Sequence, residues 1–168
     1  MTTLSKLVAD GVVVRIEVQL DGEELAWREL YAYPAAGRQN YFVPWLRDTL
    51  PTMRSQVGAE DSPEEQVYGL LVLYVTGKRL NSGRMYSPLR PDAKGAWELK
   101  TVDVRIFGWF HRRDCFIAVF ADDATHIHEH GLHAGYRDEV VRLRDGLDLD
   151  EPKFVGGTNE NDVLSIRS

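Results

Sequence analysis

Between Trp97 and Ala121 three strand-like runs follow one another with almost nothing between them: Trp97 to Lys100, Val104 to Phe110 and Cys115 to Ala121. The last two are joined by the tight connection His111-Arg-Arg-Asp114. Parallel neighbours need a crossover of about a dozen residues, so runs this close fold back on one another as antiparallel strands. Side chains of a strand alternate between its two faces. In the middle run Val104, Ile106, Gly108 and Phe110 therefore share one side and Arg105, Phe107 and Trp109 the other.

The rest of the chain supplies helices and one further strand or hairpin. Ser62-Pro63-Glu64-Glu65 combines an N-cap serine, a proline at the first helical position and a glutamate at the third, which is a capping box. Val67, Leu70, Leu71 and Tyr74 form the buried stripe of that helix, and Gly77 with Lys78 and Arg79 closes it. Upstream, Val12 to Leu20 reads as a strand, Asp21-Gly22 as a hairpin turn and Leu25 to Tyr33 as its partner. Phe42, Trp45, Leu46, Leu50 and Met53 keep helical spacing, with Pro44 and Pro51 limiting its regularity. Residues 78–95 read as loop, residues 122–133 as an irregular histidine-rich segment, and Ala134 to Asp145 as a last helix ended by Gly146. This order predicts an α+β fold, a mainly antiparallel sheet with helices packed on one side. Residues 1–150 form the single expected domain, followed by an acidic, loosely packed tail over 151–168.

Charge is distributed unevenly. The 168 residues carry 20 Lys and Arg against 26 Asp and Glu, a net −6. Residues 77–113 nevertheless hold nine basic side chains and three acidic ones, a local +6. Such an island attracts anions within the ~10 Å over which charges act at moderate salt. Its bland counterpart is a solvated face paired with acidic flanks. A single cysteine, Cys115, precludes an intrachain disulfide and predicts a buried, inert thiol. The longest apolar stretch, Val67 to Val75, is too short for a membrane helix, so a cytoplasmic protein without membrane contact is expected.

No phosphate-binding glycine loop and no nucleophile elbow occurs. His126, His128 and His130, followed by His133, invite a metal reading, because alternate positions of an extended segment point the same way. The same imidazoles also suit acid–base work or phosphate contact.

Gly95-Ala-Trp-Glu-Leu-Lys100, then Asp103-Val-Arg-Ile-Phe107, then Cys-Phe-Ile-Ala-Val-Phe120 resembles the central signature of the RelE/HigB superfamily of bacterial and phage toxins. Element order agrees with the motif over roughly residues 12–148. The resemblance implies a metal-independent, cofactor-free mRNA endoribonuclease acting on the ribosome by 2′-hydroxyl attack, with a cognate antitoxin as protein partner. It implies Arg105 and Tyr136 as catalytic residues and Arg84, Arg90 and Lys100 as substrate-binding cations; the basic island adds Arg112 and Arg113 to those cations, and His128 and His130 are expected to complete the catalytic set in place of the family's lysines. Where the family carries Phe-x-Lys-Lys, this chain reads Ala121-Asp-Asp-Ala-Thr-His126. That departure supports an alternative, a catalytically inactive toxin-fold protein, such as a phage or prophage regulator, that binds another protein.

Overall fold

A computed structural model describes residues 1–90 and 93–167. Pro91 and Asp92, in the stretch read as loop, and the terminal Ser168 lie outside the described residues. Among the described residues six strands form one sheet: β1 (Val14–Arg15), β2 (Glu29–Ala32), β3 (Tyr86–Pro88), β4 (Ala96–Lys100), β5 (Val104–Arg112) and β6 (Cys115–Asp123), in the order β1-β2-β6-β5-β4-β3. Every neighbouring pair is antiparallel except β2 with β6, so the sheet is mixed. The helices are α1 (Leu4–Ala9), α2 (Phe42–Pro44), α3 (Pro63–Val75), α4 (Ala124–His130), α5 (His133–Gly146) and α6 (Glu160–Val163).

The α+β class and the β4-β5-β6 meander follow the sequence expectation, and so does α3. Ser62 Oγ accepts from Glu65 N at 3.1 Å while Glu65 Oε1 accepts from Ser62 N at 3.1 Å. At the other end Lys78 N donates to Leu73 O and Gly77 N to Tyr74 O, a geometry that requires the left-handed φ of +82° at Gly77. The two prolines of the 42–52 segment act as anticipated. After α2 the chain passes through a π turn over Trp45–Thr49 and a 3₁₀ turn over Leu50–Thr52 instead of one regular helix.

Four expectations need correction. Helices cover both faces of the sheet, not one. β5 and β6 are buried on both sides along almost their whole length, and two apolar faces need two covers. Leu30, Ile106, Phe110 and Phe116 pack against α3 and the 42–52 segment, whereas Phe107, Trp109, Ile117 and Phe120 pack against α1, α4 and α5. The N-terminal hairpin is shorter than expected: the turn at Asp21-Gly22 forms, with Glu24 N donating to Asp21 O at 3.3 Å and Gly22 at a φ of +60°, but among the described residues only Val14 and Arg15 pair with β2, and the arms next to the turn run as loop. The histidine-rich segment is not irregular, because Asp123 accepts from His126 N at 3.1 Å and caps α4. The tail is not loose. Val163 and Leu164 are buried, Asp114 N donates to Val163 O at 2.8 Å, and Trp109 Nε1 donates to Lys153 O at 3.0 Å. The apolar ends of β5 and β6 need a cover there, and residues 151–167 provide it.

Candidate active site

β4 and β5 place Lys100 and Arg105 directly opposite each other at the end of their hairpin. The preceding pair on the same face is Glu98 with Phe107. Glu98 is buried, with its side chain only 8% exposed. Its Oε1 lies 3.8 Å from Lys100 Nζ and receives Ser87 Oγ at 3.4 Å. Among the described residues its Oε2 has no hydrogen-bond partner, and His133 Nε2, on the first residue of α5, stands 3.5 Å away. His128 reaches over from α4, its ring 5.2 Å from that of His133. A carboxylate, an imidazole and two cations thus meet at one end of the sheet.

Burial sets the electrostatics. It lowers the pKa of Lys100 and of Arg105, with Glu98 opposing in both cases. Burial also holds His133 below its ordinary 6.5; Glu98 opposes the shift, and His128, Arg105 and Lys100 reinforce it. The neutral imidazole therefore prevails near pH 7. The sign of the resulting stability effect follows: below about pH 6.5 the unfolded chain takes up this proton more readily than the folded one, so stability is lost as pH falls. Thermal unfolding between pH 7 and pH 5 is expected to show this decline, and His133→Gln to flatten it. An unchanged pH slope in that variant removes His133 as the source.

Lys100 and Arg105 also line a groove of about 610 Å³ beside α3, together with Arg84, Asp61, Glu65 and an apolar floor that includes Leu70. Both cations are anchored by backbone carbonyls, Lys100 on Gly83 and Arg105 on Thr101. The guanidinium has five donor hydrogens and the ammonium three, so each keeps donors for a ligand. The hairpin is pinned from beneath. Asp103, 1% exposed, accepts from Gln66 Nε2 at 2.7 Å and Gln56 N at 3.2 Å, while its own N–H donates to Gln66 Oε1 at 3.0 Å.

Of the cations singled out in the sequence, Arg84, Lys100 and Arg105 converge and the others do not. Arg90 lines a separate cavity with Glu160 and Asp162. Arg112 and Arg113 sit at the far end of β5, about 23 Å from Arg105 at ~3.3 Å rise per residue. There Arg112 donates to His111 O at 2.8 Å and faces Asp150 at 3.6 Å, and Arg113 donates to Leu164 O at 3.5 Å. The histidines part company because α4 is helical. Positions two apart on a helix point in nearly opposite directions, so His128 meets His133 whereas His130 meets His126. Among the described residues no group of three His, Cys, Asp or Glu side chains is gathered as a metal cluster.

Tyr136 is held apart from the cations. Its ring stacks on Phe107 at 4.6 Å, its hydroxyl donates to Asp122 Oδ2 at 2.6 Å, and Asn40 Nδ2 donates to it at 3.2 Å. Burial and the bond to Asp122 raise its pKa, so the phenol stays protonated. Glu98 and Asp122 escaped the reading of the sequence as site residues. Strand alternation places Glu98 beside Lys100, but that both strand faces are covered, which buries the carboxylate, is not written in the local pattern. Cys115 is buried as expected, and burial pushes its thiol up to about 12.

No protein-family model matches the chain, and comparison with curated proteins and with solved structures finds no match either. What the site does rests on its own geometry. Among the described residues no helix is long and apolar enough to cross a membrane.

Proposed function

We propose that this protein is a metal-independent endoribonuclease of the RelE/HigB toxin type, cutting mRNA and restrained by a partner protein. One observation carries the reading: two cross-strand cations, Lys100 and Arg105, border a groove on one side and adjoin a buried carboxylate–imidazole pair on the other. RNA cleavage without a metal needs those parts. A base removes the proton of the 2′-hydroxyl, whose oxygen bonds to phosphorus. The bond from phosphorus to the 5′-oxygen breaks, and an acid protonates that oxygen, leaving a 2′,3′-cyclic phosphate and a 5′-hydroxyl.

In this chain Glu98 and His133 are the proton-transfer pair, and Lys100 and Arg105 face the charge that grows on the phosphoryl oxygens. The low dielectric that depresses the pKa of both cations also strengthens their pull on that charge. His128 adjusts His133 from 5.2 Å. The catalytic set suggested by the family likeness shifts accordingly: Arg105 stays central and His128 moves to a supporting place. His130 turns to His126, and Tyr136 is bonded to Asp122.

Inducible expression in a bacterial host is expected to arrest growth, and purified protein is expected to cleave mRNA on programmed ribosomes into fragments ending in 2′,3′-cyclic phosphate. Arg105→Ala, with folding checked by circular dichroism, should slow cleavage about 10²–10³-fold, the usual loss for one preorganised donor. Full toxicity in that variant removes Arg105 from the mechanism. Intact mRNA after incubation with folded wild-type protein overturns the nuclease reading.

A further inference from the structure

Arg28 and Arg79 take no part in the site proposed above, yet they share a cavity. It measures about 170 Å³ and is bounded by the chain just after α3, by β3 and by α6, with Tyr86, Glu160 and Asn161 as its other polar lining residues. One water takes up only roughly 30 Å³ in the liquid, so there is room for several, or for one small ligand.

The Arg28 side chain is fully buried. A guanidinium carries five donor hydrogens. Nε spends one on Ser165 O at 3.2 Å, Nη1 one on Tyr74 O at 2.9 Å and Nη2 one on Ser165 O at 2.6 Å. Each terminal nitrogen therefore keeps a hydrogen with no acceptor among the described residues. Tyr74 covers the face of the group, its ring centre 5.5 Å from Cζ, and takes none of the edge hydrogens. Asp114 Oδ1 approaches Nε at 3.3 Å and also accepts from Ser165 N at 2.8 Å. Donors held out of water find an acceptor in nearly every protein, because leaving one without costs about as much as a lost hydrogen bond. Here the acceptor has to come from the cavity.

The rest of the wall fixes the ligand's charge. Two guanidinium groups stand there against one carboxylate, that of Glu160. Burial raises the pKa of Tyr86, Glu160 adds to the shift, and Arg28 and Arg79 oppose it, so the phenol keeps its proton and can donate. We infer that this cavity binds a free oxyanion of the phosphate class, held by the unspent hydrogens of Arg28 and by Arg79, with Tyr86 and Asn161 as neutral donors. The planar fork of a guanidinium matches a phosphate edge, which a spherical halide cannot reproduce. The small volume favours the ion itself over the end of a larger phosphate ester. None of these residues serves the cleavage proposed above, so failure of either reading leaves the other standing.

Isothermal titration of the full-length protein with sodium phosphate, against sodium chloride at matched ionic strength, is the test. One phosphate per chain and no chloride heat are expected. Arg79→Met, at an exposed position, should keep the fold and weaken phosphate binding about tenfold or more, the loss of one charge-assisted hydrogen bond. Glu160→Gln should tighten it at least about threefold, because a like charge no longer faces the anion. Arg105→Ala should leave it unchanged, which separates this cavity from the cations of the groove beside α3. Phosphate should also raise the melting temperature of the wild type more than that of Arg79→Met. Absence of phosphate binding, equal affinity in Arg79→Met, or loss of binding in Arg105→Ala overturns the site. Glycerol 3-phosphate binding more tightly than phosphate overturns the assignment to the free ion.

Discussion

Gly108→Ala is expected to lower the unfolding free energy by about 3 kcal/mol or more, at the upper end of overpacking costs. Gly108 sits at a register shift in β5, opposite Ala118 of β6. A Cβ there would press on the carbonyl oxygen of Ile117, with the carbonyl carbon of Ile117 and the Phe116 ring each at 2.9 Å. Two of those three atoms are backbone of the adjoining central strand. Relief therefore means moving β6, with its buried Phe116, Ile117 and Phe120, and not merely turning a side chain. For a chain of this size the loss corresponds to a fall in melting temperature of roughly 6–12 °C. Calorimetry reads it directly, and a melting temperature within 2–3 °C of the wild type, less than ~1 kcal/mol, contradicts the account.

Arg28→Met is the second large effect. The Arg28 side chain is fully buried; it donates to Tyr74 O at 2.9 Å and to Ser165 O at 2.6 Å, and lies 3.3 Å from Asp114 Oδ1. One guanidinium thereby ties together the end of α3, the β5–β6 turn and the C-terminal segment. Burial lowers its pKa while Asp114 opposes the shift, so the pair balances desolvation against attraction. Removing the guanidinium leaves two carbonyls without a donor and Asp114 with only its bonds from Ser165, at a cost of about 3 kcal/mol, the lower end of the range for a broken buried pair. Methionine refills the volume, which isolates the electrostatic loss. Urea denaturation should show the midpoint fall with an unchanged slope. Adding Asp114→Asn should recover part of the loss, because no unpaired charge then remains. A double variant as unstable as the single one would assign the effect to packing.

Much of this architecture is legible in short stretches of chain. The capping box at Ser62, the closing glycine at Gly77 and the alternation of Val104 to Phe110 are local devices, determined by bonds and periods spanning a few residues. They appear in the structure where the residues place them. The same holds for Lys100 and Arg105: a three-residue turn between two strands makes them neighbours.

The misreadings share a cause. Whether a strand has one covered face or two depends on what packs from elsewhere, so helices on both sides of the sheet were not visible in its strands. Residues 151–167 look acidic and loose in isolation, but Val163 and Leu164 find a core only once the ends of β5 and β6 are in place. His126 to His130 alternate as if on a strand. The cap from Asp123 makes them a helix and sends His128 and His130 to different partners.

The amino-acid order by itself determined the α+β class, the three-stranded meander and the pairing of two cations at its turn, because each is governed by contacts between residues close in the chain. Only the tertiary structure decided that Glu98 is buried against His133, that Arg90, Arg112 and Arg113 stand away from Arg105, and that Tyr136 is bound to Asp122. Those outcomes depend on desolvation and on partners far apart in sequence, and neither exists until the sheet has its two covers.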